Sequence, residues 1–252
     1  LLSRGHLLIE DLPGMGKTTL AHLLARLFDL DYSRIQFTSD MLPADIIGVS
    51  IFNRNSAEFT FHPGPVFSQL VLADEINRAT AKTQSALLEA MEEQQITMDG
   101  KTYPLEDPFF VIATQNPQTQ TGTFPLPESQ LDRFLMRIVL GYPDRHTERG
   151  ILSGTDRREL LQSLKPVFTT RQLLKMQQQI RQVHISSALL DYVQDILEFS
   201  RHSQYFLTGL SPRAGLALLR AAQAWAFIHN REMVIPDDIK AVLASVILHR
   251  LV

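Results

Sequence analysis

A glycine-containing turn near the start of the chain separates a short apolar run, His6–Glu10, from a stretch with helical periodicity. The helical pattern comes from leucines spaced three and four residues apart, at Leu20, Leu23, Leu24 and Leu27. The turn, Asp11–Thr19, resembles the phosphate-binding pattern G-x-x-x-x-G-K-[ST], with aspartate in place of the first glycine. A strand, a turn and a helix in this order predict a phosphate-binding loop at the edge of an α/β sheet.

Each residue type in this loop has a chemical use. Gly14 and Gly16 let the backbone fold its N–H groups around a phosphate, and the following helix N-terminus adds a favourable dipole. Lys17 would reach the β- and γ-phosphates, and the Thr18 hydroxyl would ligate Mg²⁺. The alternative is a glycine-rich turn that carries an exposed lysine. We therefore expect ATP to bind at Pro13, Gly14, Met15, Gly16, Lys17, Thr18 and Thr19, with Thr18 also a ligand of Mg²⁺.

A second candidate site is the pair Asp74 and Glu75, which directly follows the apolar residues Leu70-Val71-Leu72-Ala73. Ligands in open α/β sheets bind at the carboxyl ends of strands, where such a run would deliver both carboxylates. We expect Asp74 to hold the Mg²⁺ shell and Glu75 to act as the general base on the attacking water. The alternative is a helix cap with two solvated acids.

Asn116 is a third candidate, because it follows another apolar run, Phe109–Thr114. A neutral amide at the end of a strand can orient a water against the γ-phosphate, although an Asx turn before Pro117 is the ordinary reading of a lone Asn-Pro pair. Three arginines, Arg78, Arg133 and Arg213, are candidates for stabilising a transferring phosphoryl group. Each is equally compatible with a surface salt bridge, and the pattern alone does not choose among them.

The order of elements predicts two domains, an α/β domain over residues 1–150 and a helical domain over residues 151–252. The predicted strands are Ile35–Thr38, Gln69–Ala73, Phe109–Thr114 and Met136–Leu140. The predicted helices are Ala81–Glu93 and Leu126–Phe134. A further short helix is predicted to begin at a cap formed by Ser39-Asp40 and to end at about Ile47. Hairpins are predicted at Ser50–Phe61, with its turn at Asn53–Ser56, and at Ile96–Leu105, around Asp99-Gly100.

Composition narrows the class of protein. The chain has no cysteine, which excludes disulfides and cysteine metal sites and fits a cytoplasmic location. No apolar run reaches the roughly 20 residues of a membrane span. A formal net charge of −3 gives no global basic field for nucleic acid. Because a phosphate-binding strand lies so close to residue 1, we expect a further segment of chain before it.

Six motifs, in order along the chain, resemble the MoxR branch of the AAA+ ATPases, and the likeness covers essentially the whole chain. They are Glu10–Thr18, Leu72–Ala79, Lys82–Met91, Ala113–Pro117, Pro125–Phe134 and Ser211–Ala214. The resemblance implies an AAA+ P-loop core with a parallel sheet, followed by a small all-helical lid.

The resemblance also implies roles and partners. Asn116 would be the sensor-1 residue, Arg213 the sensor-2 arginine of the lid, and Arg133 an arginine finger inserted into the neighbouring subunit's site. Arg78 would lie near the same subunit interface. The family forms hexameric rings, works with von Willebrand factor A-domain proteins, and remodels or activates protein partners in a chaperone-like manner. The two hairpins would face the partner or the ring pore, and a segment before residue 1 would help to hold the adenine.

Two alternatives to a protein-remodelling ATPase stay open at this point. A DNA-acting AAA+ protein is disfavoured by the net acidity and by the lack of an aromatic, arginine- and lysine-rich surface. A nucleotide-switched scaffold without turnover is disfavoured by Glu75, because a pure switch needs no general base.

Overall fold

The computed structural model describes residues 1–54, 57–116, 123–153 and 163–251 of the chain. Within it the chain forms two compact units, each built from separated stretches of sequence. The α/β unit contains Ile9–Leu126 and Val139–Thr170, and the helical unit contains Leu1–Leu8, Pro127–Ile138 and Arg171–Val252. The domain division between residues 150 and 151 stays a sequence-based prediction.

A five-stranded sheet with the order β2-β5-β8-β1-β9 is the main β structure. Its strands are β1 His6–Glu10, β2 Tyr32–Gln36, β5 Leu70–Asp74, β8 Phe110–Gln115 and β9 Phe134–Ile138. The pairs β2–β5 and β5–β8 are parallel. Every residue of β5 and β8 is buried, as expected for strands covered on both faces. These two strands therefore end in the buried polar residues Asp74 and Gln115, on the same edge of the sheet.

Five helices accompany the strands up to residue 153. They are α1 Lys17–Leu27, α2 Pro43–Ile47, α3 Ala81–Glu93, α4 Glu128–Leu131 and α5 Arg145–Leu152, with 3-10 turns at Pro65–Phe67 and Ile76–Arg78. The Thr80 side chain accepts a hydrogen bond from Thr83 N and caps α3, and Leu87, Leu88 and Met91 on its inner face are buried. Helix formation here follows from a cap at one end and an apolar stripe at helical spacing.

Two antiparallel hairpins project from the α/β unit: β3 Gly48–Asn53 with β4 Glu58–Pro63, and β6 Gln95–Met98 with β7 Lys101–Pro104. Asp99 and Gly100 between β6 and β7 both have positive φ, 52° and 74°, as a tight two-residue hairpin turn requires. The Phe61 and Tyr103 rings stack with centroids 4.3 Å apart, so the two hairpins touch.

The helical unit is built from α6 Thr170–Ile180, α7 Ser187–His202, α8 Pro212–Ile228 and α9 Pro236–Ile247. Alanines line the buried side of α8, including Ala217, Ala221 and Ala222, and allow the helices to approach closely. Valine, leucine and isoleucine side chains such as Leu218 and Ile239 complete this core. Serine side chains cap α7 and α8 at Ser186 and Ser211.

Several sequence-based predictions are confirmed and others are wrong. Both hairpins and helix α3 form where predicted, although Asn55 and Ser56 of the first predicted turn lie outside the described residues, as does Pro117. The cap predicted at Ser39-Asp40 is wrong: α2 begins at Pro43, and the Asp45 side chain accepts from Leu42 N at 2.8 Å. The helix predicted over Leu126–Phe134 is a single turn, because Phe134 already begins β9. In the described part of the chain, none of the helices has the length and apolar character needed to cross a membrane.

Candidate functional site

A cavity of about 370 Å³ in the α/β unit brings together most of the residues singled out in the sequence. It lies where α1 begins and where β5 and β8 end. Met15 belongs to the loop but is not among the lining residues. The cavity is lined by Pro13, Gly14, Gly16, Lys17, Thr18, Thr19, Arg34, Asp74, Glu75 and Asn116.

The loop between β1 and α1 is an open cradle. Gly14 and Gly16 both have φ of 84°, a left-handed conformation that glycine adopts without strain, and a Cβ built at either position meets no atom within 4 Å. Gly16 is the N-cap of α1, so the first helical N–H groups lie at the cavity. A helix N-terminus with unpaired N–H groups behind an open glycine loop fits a bound phosphate.

Lys17 is buried and its ammonium is held from two sides. Its Nζ donates to the backbone oxygen of Asp11 at 2.5 Å and to Asn116 Oδ1 at 3.3 Å. Burial lowers the pKa of Lys17 below its ordinary value, while the carboxylates of Asp11, Asp74 and Glu75 act in the opposite direction. The result is a fixed cation among three acids, at the place where the pattern predicts a phosphate contact.

Asp11, which replaces the usual first glycine of the loop, acts as a tether. Its Oδ1 accepts from Leu12 N, and its Oδ2 accepts from the N–H groups of Leu140 and Gly141, all three at 2.7 Å. Burial raises the pKa of this carboxyl, but these three backbone donors and the charge of Lys17 outweigh it, so that the pKa lies below its ordinary value. The substitution therefore adds a contact that a glycine cannot make.

Asp74 is the carboxylate of the candidate metal site. Its Oδ1 accepts from Thr114 Oγ1 at 2.7 Å, and its Oδ2 accepts from Arg34 Nη2 at 2.6 Å and Nε at 3.2 Å. Asp74 and the Thr18 hydroxyl line the same cavity and are hard oxygen ligands of the kind that Mg²⁺ prefers. No cluster of three or more His, Cys, Asp or Glu side chains suited to a metal occurs among the described residues. The donor set thus fits a Mg²⁺ ion that shares its coordination with nucleotide phosphates and water.

Glu75 is held in one orientation at the turn after β5. Its φ is 57°, and its backbone N–H donates to Thr114 Oγ1 at 2.9 Å. Its Oε1 accepts from Asn116 Nδ2 at 3.0 Å, and its Oε2 accepts from Arg78 Nη1 at 2.8 Å and from Gln36 Nε2 at 3.2 Å. The structure thus places Arg78, whose role the sequence leaves open, beside the predicted general base of its own chain.

Two residues that contact the acids, Arg34 and Gln36, are not singled out by the sequence pattern. Both lie on β2, whose residues 34 and 36 pair in register with Leu72 and Asp74 of β5, so their side chains reach the two carboxylates. The signal in the sequence was the alternation Arg34-Ile35-Gln36, with Ile35 buried between two outward polar side chains. The predicted strand begins at Ile35 and so leaves out Arg34, and the strand prediction alone does not show that Gln36 faces the acids.

Arg133 and Arg213 belong to the helical unit and are not among the residues that line the cavity. Arg133 lies between Asp132, the C-cap of α4, and Phe134, the first residue of β9. Arg213 is the second residue of α8, directly after the Ser211 cap and Pro212.

Comparisons with known proteins agree with this architecture. Residues 6–136 match the model of the ATPase family associated with various cellular activities (AAA), and residues 198–252 match an AAA lid domain. The crystal structure of a proposed ATPase from Cytophaga hutchinsonii superposes with a TM-score of 0.90 at 41% identity, covering 100% of this chain and 79% of that one.

Named relatives cover the chain from end to end. The protein YeaC of Bacillus subtilis is 46% identical, over 100% of this chain and 78% of its own length. Chaperone MoxR1 of Mycobacterium tuberculosis is 41% identical over 100% of this chain and 69% of its own length. Protein MoxR of Paracoccus denitrificans is 33% identical over 99% of this chain and 80% of its own length.

Proposed function

Because this chain belongs to the MoxR family of AAA+ ATPases, we propose that it binds ATP with Mg²⁺ in the cavity of the α/β unit and hydrolyses the β–γ phosphoanhydride there. The observation that carries the proposal is the direct linkage of Lys17, Asn116 and Glu75 by hydrogen bonds inside one cavity. These bonds fix an ammonium, an amide and a carboxylate relative to one another, and we propose that they bind phosphate, orient the attacking water and act as the general base.

Binding would rest on the loop and on β5. The N–H groups at the start of α1 and the Lys17 ammonium would hold the β- and γ-phosphates, and Thr18 and Asp74 would hold Mg²⁺. When bound, Mg²⁺ neutralises charge that develops on the phosphate oxygens. Asp74 is oriented for this by Thr114, which donates to the carboxylate oxygen opposite the one that Arg34 contacts.

Hydrolysis would use Glu75 and Asn116. Glu75 would accept a proton from the water that attacks the γ-phosphorus, and Asn116 would keep the Glu75 carboxylate turned toward that water. Asn116 donates to Glu75 Oε1, and Arg78 and Gln36 donate to Glu75 Oε2. The proposed general base would therefore be held in place by three donors. Such fixed geometry accounts for a large part of catalysis in phosphoryl transfer.

The test separates binding from chemistry. Lys17→Ala is expected to lose nucleotide binding, whereas Glu75→Gln is expected to bind ATP and lose turnover, since the two residues act on phosphate and on water. Nucleotide affinity by a fluorescent ATP analogue and phosphate release would be measured for each variant. A Glu75→Gln protein that hydrolyses ATP at the wild-type rate would remove Glu75 from the general-base role.

We further propose that the protein works as a homo-oligomer, with a hexameric ring as the expected form, and that Arg133 acts in the site of the neighbouring subunit. An arginine finger contributes roughly 10³–10⁵ in rate, about 4–7 kcal/mol, whereas an exposed salt bridge contributes about 1 kcal/mol at most to stability. Arg133→Ala should therefore bind ATP and scarcely hydrolyse it. Mixing Arg133→Ala with Lys17→Ala in full-length, subunit-exchanging assemblies should restore part of the activity, because some interfaces then pair an intact loop with an intact finger.

The partner we propose is a von Willebrand factor A-domain protein. Together the two proteins would remodel or activate a client protein in the cytoplasm. The supporting feature is the β3–β4 hairpin, where Ile51, Phe52 and Phe59 are 52%, 50% and 68% exposed. The Phe52 and Phe59 ring centroids lie 5.2 Å apart, so the exposed aromatic surface is continuous. Adjoining apolar side chains left in solvent are typical of protein interaction sites.

Both hairpins can be tested without touching the cavity. Shortening Ile96–Leu105 around Asp99-Gly100, or changing Phe59 to serine, should leave ATP affinity unchanged and should abolish stimulation of turnover by a purified A-domain partner. Loss of ATP binding in a variant that remains folded would count against a partner-facing role for the hairpins.

A further inference from the structure

The buried side chain of Arg250 forms hydrogen bonds with the short segment that contains Arg133. Arg250 is 9% exposed, and three of its four hydrogen-bond partners lie within residues 132–135. Its nitrogens donate to Asp132 Oδ1 at 2.6 Å, Asp132 O at 3.3 Å, Phe134 O at 2.6 Å, Leu135 O at 3.2 Å and Val246 O. The neighbouring His249 Nε2 lies 3.2 Å from the same Phe134 oxygen.

This segment needs an anchor, because Arg133 lies at a corner between two short elements. The preceding helix α4 has only four residues, too few to be stable by itself, and β9 starts at the very next residue, Phe134. The Arg250 side chain donates to the side chain and the backbone oxygen of Asp132, the residue before Arg133. It also donates to the backbone oxygen of Phe134, the residue after Arg133. The backbone on each side of Arg133 is thus fixed by one planar guanidinium fork.

A second contact ties the same corner to the start of α8. Asp132 Oδ2 accepts from Ser211 Oγ at 3.4 Å, while Ser211 also caps α8 through a bond from Ala214 N at 3.2 Å. Arg213 lies in the first turn of that helix. Asp132, the residue before Arg133, is therefore bonded to the cap of the helix that carries Arg213, and Arg250 supplies the charge that holds Asp132 in place.

We infer that Arg250 is a positioning residue for Arg133: it sets the backbone from which the finger reaches the adjacent subunit's nucleotide. The inference rests on the proposed role of Arg133 across the subunit boundary. The ion pair of the buried Arg250 with the partly buried Asp132 is a weak source of stability, but the planar guanidinium with its five donors can hold one geometry. Because a displacement of about 1 Å in a positioned group can cost about 100-fold in rate, loosening this corner should appear mainly in turnover.

The test uses Arg250→Lys, which keeps the charge and loses the fork. In the full-length assembly it should bind ATP with wild-type affinity and show kcat reduced about 100-fold. The matched control is Arg231→Lys, since Arg231 also forms an ion pair with an aspartate of the helical unit, and that partner, Asp238, lies outside residues 132–135. This control should lower thermal stability while leaving kcat close to wild type.

Mixed assemblies distinguish positioning from a general structural role. Arg250→Lys mixed with Lys17→Ala should regain activity, because the second variant supplies intact fingers to intact loops. Arg250→Lys mixed with Arg133→Ala should regain none, since both variants are defective on the finger side. Asp132→Asn should follow the same pattern, which keeps the test decisive if Arg250→Lys folds poorly.

The reference mixture of Arg133→Ala with Lys17→Ala separates the two proposals. If it regains activity but the Arg250→Lys mixture with Lys17→Ala does not, the positioning role is overturned and the trans finger stands. Recovery in the mixture of Arg250→Lys with Arg133→Ala overturns the positioning role as well. If the reference mixture stays inactive in confirmed mixed rings, the trans finger fails, and the role assigned to Arg250 fails with it.

Discussion

Asn116 joins Lys17 to Glu75 through the two ends of one amide. Its Oδ1 accepts from Lys17 Nζ at 3.3 Å, and its Nδ2 donates to Glu75 Oε1 at 3.0 Å. Asn77 Nδ2 donates to the backbone oxygen of Asn116 at 3.2 Å and fixes the base of the side chain. A lysine can only donate and a carboxylate can only accept, and the amide, which carries an acceptor and a donor at its two ends, satisfies both neighbours at once.

Asn116→Ala should reduce ATP hydrolysis by about 100-fold while changing ATP affinity only a few-fold, because the general base loses its orienting donor. Phosphate release and equilibrium binding would be measured on the same preparations. Asn116→Asp keeps an acceptor for Lys17 and removes the donor to Glu75, so it should be equally slow. Normal turnover in the aspartate variant would show that the Lys17 contact, and not the Glu75 contact, is the one that matters.

Arg34 Nη2 donates to Oδ2 of Asp74 at 2.6 Å, and Asp74 is the carboxylate that would hold Mg²⁺. Arg34→Gln should therefore lower the Mg²⁺ concentration required for half-maximal binding of an ATP analogue by up to about fivefold, which corresponds to about 1 kcal/mol for this partly exposed ion pair. Arg26→Gln, which changes an exposed arginine on α1, is the control and should leave the titration unchanged. A higher Mg²⁺ requirement in Arg34→Gln would mean that Arg34 assists the ion instead of competing with it.

Arg213→Ala should weaken ATP binding more than ADP binding, because an arginine directed at the γ-phosphate loses its target after hydrolysis. Isothermal titration with ADP and with a non-hydrolysable ATP analogue measures the two affinities. Arg220→Ala, an exposed arginine further along the same helix, should affect neither nucleotide selectively. Equal losses for both nucleotides in Arg213→Ala would contradict the sensor-2 assignment.

His249 makes stability depend on pH. Burial, followed by the nearby charge of Arg250, lowers the pKa of His249 from 6.5 to about 4. Between these values the unfolded chain binds the proton and the folded chain does not. The contribution of His249 to the free energy of unfolding is therefore fully present above about pH 6.5 and is lost as pH falls toward 4. The difference between the pKa values in the unfolded and the folded chain corresponds to a loss of about 3 kcal/mol in the free energy of unfolding.

The variant that checks this is His249→Gln, because a glutamine amide can still donate to Phe134 O but does not titrate. Denaturant unfolding at pH 7 and pH 4.5 should show a smaller loss of stability in the variant than in the wild type. Identical losses would place the acid sensitivity in other groups.

Local signals explain why some elements were predicted accurately. Helix α3 has a threonine cap and an apolar stripe at helical spacing, and both signals lie within one continuous stretch of chain. The hairpin around Asp99-Gly100 likewise depends on a turn whose positive φ values are favoured by those two residue types. The predictions for the loop at Lys17 and for the acids at Asp74 and Glu75 depend on equally local signals.

Contacts between distant residues explain what was missed. Only Ile35 is buried in β2, so this edge strand has a weak apolar pattern, and the side chains that reach the acids follow from its register with β5. Arg250 and Asp132 are 118 residues apart, and nothing in either local sequence indicates that they meet. Pairings of this kind depend on how the elements pack, which local periodicity does not encode.

The aspartate that opens the phosphate loop has a mechanical consequence. Through the N–H groups of Leu140 and Gly141, Asp11 fastens the loop to the chain just after β9. A glycine at position 11 would leave these two donors without this carboxylate, and the loop could shift without disturbing residues 140 and 141. With aspartate, a displacement of either segment stretches two charge-assisted hydrogen bonds, so movement at the exit of β9 and movement at the phosphates are transmitted to each other.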